Sequence, residues 1–124
     1  MRARRALLAG ALALAACIDA GPRVGPGTMR VTLTSPHGDE GAAVLLLIGE
    51  GLLDAQGLGE TEVFAETEGE TTRVVLIHPT GGTLAFEVEM VDLSRPLVAI
   101  VREVAGPDDA LRGDLAGYGV ALSR

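Results

Sequence analysis

The stretch Leu84-Ala85-Phe86-Glu87-Val88-Glu89-Met90 decides the fold. Leu84, Phe86, Val88 and Met90 are apolar, and Ala85, Glu87 and Glu89 between them are small or charged. Side chains in a strand point alternately to its two faces, so this segment presents one dry face and one wet face. On a helix the same four apolar residues would fall on two opposite sides and leave no single apolar face.

Reading outward, the same period recurs. Met29, Val31 and Leu33 alternate with Arg30, Thr32 and Thr34, and the turn residues Ser35-Pro36-His37-Gly38-Asp39 end that strand. Ala42 to Ile48 is an unbroken apolar run closed by Gly49. Its seven residues suit one strand buried on both sides or two short helical turns, and the bounding glycines favour the strand. Leu52 to Gly59 reads as a Gly-punctuated connection with room for a turn of helix. Glu62 to Thr67 is a short strand turned by Glu68-Gly69-Glu70. Thr71 to His78 is another, and Pro79-Thr80-Gly81-Gly82 stops it as a turn. Leu97 to Ala105 and Tyr118 to Ser123 complete the set, with an irregular or helical turn expected over Ala110 to Leu115. About seven short strands with turn chemistry between them predict an all-β, antiparallel β-sandwich of immunoglobulin-like size over residues 29–124. The expected core is mostly Val, Leu, Ile and Ala, with only Phe64, Phe86 and Tyr118 to supply large rings to it.

The first residues follow a different logic. Arg2, Arg4 and Arg5 precede the run Ala6 to Ala16, which is apolar but shorter than the roughly 20 residues a membrane-spanning helix needs. A charged opening and a short apolar run are the two parts of a secretory signal helix. Leu14-Ala15-Ala16-Cys17 then resembles the lipobox of bacterial lipoproteins. That resemblance implies a signal peptide over residues 1–16, with Leu14, Ala15 and Ala16 recognised by the signal peptidase. It also implies that Cys17 becomes the mature N-terminus, carrying a diacylglycerol and a further acyl chain such as palmitate. Two or more acyl chains hold a protein stably to a bilayer. Ile18, not Asp, follows the cysteine, and by the same resemblance this favours the outer membrane in a cell with two membranes. Residues 17–28 comprise the lipidated cysteine and a Gly/Pro tether. Eleven residues after the cysteine reach at most ~35–40 Å, which keeps the domain near the bilayer.

Composition narrows the partners. The chain has 124 residues, a formal charge of -7 and one Cys. All its cations are Arg, and three of the ten lie in the leader, so the mature chain sets seven Arg against 17 acids, a charge of -10. Outside the leader there is no basic cluster for nucleic acid phosphates. One cysteine builds neither an internal disulfide nor a four-ligand zinc site.

The order of the Val31-Thr32-Leu33-Thr34, Ala42 to Leu47 and Thr72 to Leu76 strands, with the Val101-Arg102-Glu103-Val104-Ala105, Ala110-Leu111-Arg112 and Tyr118 stretch, resembles small cohesin-like sandwich domains of uncharacterised secreted bacterial proteins. The resemblance implies a fold and transfers no functional residue.

Chemistry-bearing residues are sparse. His37 and His78 sit beside prolines in turns, and Ser35, Ser94 and Ser123 lack a nucleophile motif. Asp39, Glu40, Asp108 and Asp109, with Asp114 further on, lie in or beside loops, where carboxylates can ligate calcium. Glu60, Glu62, Glu66, Glu68 and Glu70 fall at even offsets, so a continuous strand would put them on one face. That face either discourages edge-to-edge aggregation or docks a basic partner, with Glu66, Glu68 and Glu70 as the candidates. The expectation is therefore a lipid-anchored envelope protein, bound to the bilayer through Cys17 and to another envelope protein through a non-catalytic interaction or structural module. A calcium-stabilised adhesive or glycan-binding domain is the alternative, and a small envelope hydrolase stands behind both. The absence of Trp and the single Tyr argue against a stacked-sugar platform.

Overall fold

The computed structural model describes residues 24–124. Within them eight strands run β1 (Gly27–Thr34), β2 (Glu40–Ile48), β3 (Leu52–Gly57), β4 (Glu62–Glu68), β5 (Thr71–Gly82), β6 (Ala85–Met90), β7 (Val98–Ala105) and β8 (Gly119–Ser123). They form two antiparallel four-stranded sheets, β3-β6-β1-β8 and β4-β5-β2-β7, packed as a sandwich. Residues 1–16, where a signal peptide is expected, and Cys17 lie outside the described residues.

The alternating segments behave as their pattern dictates. Met29, Val31 and Leu33 of β1 and Phe86, Val88 and Met90 of β6 point inward from the first sheet, and Ala43, Leu45, Leu47, Val74, Leu76 and Val104 meet them from the second. Each fully buried Leu, Val or Phe side chain contributes roughly 1.5–3 kcal/mol. Leu84, Leu93 and Leu97 close the ends of this core from the connecting loops.

Two expectations change. Leu52 to Gly57 is a strand, not a turn of helix, and it makes the count eight. β6 offers an open row of backbone groups on that side, and pairing with them outweighs the weak local preference of a Gly-rich segment. A bulge at Leu53 accommodates the misfit. Gly57 is needed for space: a Cβ there would stand 1.7 Å from the Thr61 carbonyl oxygen. β5 also continues through Pro79 to Gly82. The register steps from Ala42↔Ile77 to Glu40↔Gly82, two residues against five, so the proline lies in an irregular segment where the ladder needs no donor from it. At the other end of β5, Gly69 has φ +62° and begins the two-residue β4–β5 hairpin loop, where a primed turn wants glycine.

The first strand begins at Gly27, and the chain is held from Gly25 onward. Asp92 accepts hydrogen bonds from the Gly25 backbone N–H at 3.0 Å and from the Ser94 backbone N–H and hydroxyl at 2.9 and 2.7 Å. The Ser94 backbone bond is the main reason its carboxyl is held below the usual range.

Candidate functional site

The two sheets differ on their outer faces. On β3-β6-β1-β8, register places Asp54, Gln56, Glu87, Glu89, Arg30 and Thr32 outward, an ordinary solvated surface. On β4-β5-β2-β7, the outward rows are Phe64↔Val75↔Val44, Arg73↔Leu46↔Ile100 and Thr71↔Ile48↔Val98. Phe64 is 58% exposed, Val98 54% and Ile100 39%. β2 thus has apolar residues on both faces, as the unbroken run Ala42 to Ile48 implies, yet only one face is covered within the described residues. An apolar sheet face of this kind marks a surface that gains by association.

Phe64 is the residue misassigned by the aliphatic-core expectation. It shares even parity with Glu62, Glu66 and Glu68, and all four point outward from β4. That parity was visible in the sequence and would have placed the ring among the glutamates. Glu66 lies opposite Arg73 on β5. Glu70 does not join this row. It sits in the hairpin loop beside Glu50 in the turn after β2, and hydrogen bonding and repulsion between the two carboxylates raise its pKa. Arg95 holds Glu50 at 2.7 Å. These three side chains, with Ile48, Gly49, Pro96 and Val98, line an open depression of about 340 Å³ at one end of the apolar face. A smaller hollow of about 70 Å³ lies between Val44, Val75, Glu103, Ala105 and Leu111.

The calcium candidates are placed differently from one another. Glu40 is 1% exposed. Its Oε1 accepts from Arg112 Nε at 3.2 Å and Nη2 at 2.8 Å, and its Oε2 from the Ser35 hydroxyl at 2.7 Å and from the Tyr118 hydroxyl. A carboxylate has about four acceptor positions, and four donors fill them. Burial by itself would raise the Glu40 pKa, but the bonds from Tyr118, Ser35 and Arg112 outweigh it and leave the carboxyl below its usual range. Tyr118 is correspondingly raised, by burial and by its bond to Glu40. The network pins the loop between β7 and β8 to the start of β2. Asp108 caps its own turn, accepting from the Ala110 N–H at 3.2 Å, and Asp109 adopts φ +65° in that turn. Asp39 is exposed beside Glu40. Among the described residues no three His, Cys, Asp or Glu side chains stand close enough to share a metal ion.

The remaining polar residues serve turns. Ser94 donates to Asp92, and Ser35 donates to Glu40. The His37 ring lies 5.9 Å from that of Tyr118. His78 has a carboxylate neighbour that sequence spacing did not show: its Nε2 is 4.0 Å from Glu60, which accepts at 2.9 Å from the Thr80 hydroxyl. Among the described residues no helix is long and apolar enough to cross a membrane. Comparison with known proteins finds no family model, no curated protein and no solved structure that matches this chain.

Proposed function

We propose that this chain is a lipid-anchored protein of the bacterial cell envelope, on the outer membrane where there are two, and that its acidic β-sandwich is a non-catalytic interaction or structural module. The observation that carries the module reading is the outer face of the β4-β5-β2-β7 sheet, where Phe64, Val98 and Ile100 stand exposed beside half-buried Val44, Leu46 and Val75. Solvated sheet faces usually carry polar alternation, and the other sheet of this molecule does. The anchor reading rests on the leader: Arg2, Arg4 and Arg5, the apolar run, and Leu14-Ala15-Ala16-Cys17.

Metabolic labelling with a clickable palmitate analogue tests the anchor. The wild-type chain is expected to take up label and fractionate with membranes, and Cys17→Ala to do neither. Equal labelling of both, or none in either, removes the anchor.

A further inference from the structure

We propose that the outer face of the β4-β5-β2-β7 sheet binds a protein partner presenting an apolar strip flanked by Lys or Arg, the strip lying on Leu46, Ile48, Val98 and Ile100 and the cations along β4 and at the Glu50–Glu70 end. This rests on the reading of the domain as an interaction module and adds the partner's chemistry and its orientation.

Size argues that the apolar rows do not act alone. Four strands about 4.8 Å apart and seven residues at about 3.3 Å each give a footprint on the order of 400 Å². A specific interface commonly buries ~800 Å² per partner, so the rim must contribute. That rim is acidic on balance. Glu62, Glu66 and Glu68 point outward from β4 and Glu103 lies opposite Val44 on β7, against Arg73 on β5 and exposed Arg102 at the β7 bulge. At the end of the face Glu50 and Glu70 line one depression, where Arg95 bonds Glu50. Two carboxylates brought close repel in the free protein, and a cation arriving beside Glu70 relieves that repulsion. The depression there suits a Lys or Arg side chain, whose aliphatic stem can lie against Ile48, Pro96 and Val98 while its head meets the carboxylates. A second copy would bring the same acidic rim and a net charge of the same sign, and an anionic bilayer would be repelled.

The test places the photo-crosslinking residue p-benzoylphenylalanine at Ile100, or at Gln56 on the polar sheet as control, in the full-length chain in its own cells. Irradiation is followed by mass spectrometry of the adducts. Position 100 is expected to capture a protein segment in which Lys or Arg flanks apolar residues. The triple variant Glu62→Lys, Glu66→Lys, Glu68→Lys is expected to lower the adduct about tenfold or more with an unchanged melting profile. Where that variant does not fold, raising salt from about 50 to 500 mM in isolated envelopes makes the same test, because rim electrostatics are screened. Adducts between two copies, adducts to lipid, or a yield indifferent to both reversal and salt overturn the proposal. Capture from Gln56 alone overturns this face and keeps the module reading. Capture from neither position removes the module reading itself.

Discussion

At the scale of single residues, Glu40 shows how a loop carboxylate becomes a structural part. In the sequence it is one acid beside another, Asp39, in a turn; in the fold it is the acceptor for Arg112, Tyr118 and Ser35, residues up to 78 positions away. Replacing it with Gln keeps the shape and removes the charge that those donors address. Glu40→Gln is expected to cost about 1–3 kcal/mol at pH 7, the range for leaving buried hydrogen-bonding groups poorly matched. The sign of its pH dependence follows from the lowered pKa of the folded carboxyl. Above the ordinary carboxylate range the stabilisation is fully present; as pH falls through that range and then through the folded pKa it is lost. Urea melts at pH 7 and at about pH 3 should therefore show the difference between wild type and Glu40→Gln shrinking in acid. Asp92 is lowered too and loses stabilisation in the same direction, but it is present in both proteins and cancels. A difference that stays constant or grows in acid would assign the network's stability to something other than the Glu40 charge.

At the scale of the element, β2 is the informative strand. Leu45 is fully buried and Leu46, its neighbour in sequence, is half-buried on the opposite face. Leu45→Ala empties space between the sheets and should cost ~2–5 kcal/mol. Leu46→Ala removes area that is still partly wet and should cost less than about 1.5 kcal/mol. Equal losses in denaturant melts would mean that the outer face is covered after all. The sequence was legible here up to a point. Where one face is polar, as with Glu87 and Glu89 of β6, period two gives both the strand and its inward side. Where both faces are apolar, the same rule gives the strand and leaves its sides equivalent. β3 was hidden for the opposite reason. Gly57 and Gly59 mark it as a connection, and it is a strand because β6 lies beside it to pair with.

At the scale of the whole molecule, the path of the chain matters. From β1 to β8 each successive strand lies in the opposite sheet, except that β4 and β5 form a hairpin within one. Nearly every sheet pairing therefore joins residues distant in sequence. Such topologies fold slowly, because loop-closure entropy must be lost before the pairing is gained. Refolding followed by far-ultraviolet circular dichroism in a stopped-flow instrument should be complete in milliseconds to seconds. Relaxation in microseconds would be inconsistent with this topology. The same winding brings Glu50, Glu70 and Arg95 together at one end of the apolar face, and it brings Glu60 to His78. Neither grouping has a signature in local spacing, whereas the row Glu62, Phe64, Glu66, Glu68 could be read directly because it lies on one strand.

The sequence by itself determined the class of fold, the inward residues of β1 and β6, the aliphatic character of the core and the acidity of the chain. These follow from local periodicity and composition, which need no knowledge of neighbours. Only the tertiary structure decided that Leu52 to Gly57 is a strand, that Phe64 is outside, that Glu40 is a buried acceptor and which side of Ala42 to Ile48 meets the core. Each of those depends on what lies across a sheet or between sheets, and hydrogen bonding, burial and repulsion act between residues that the chain brings together only when it folds.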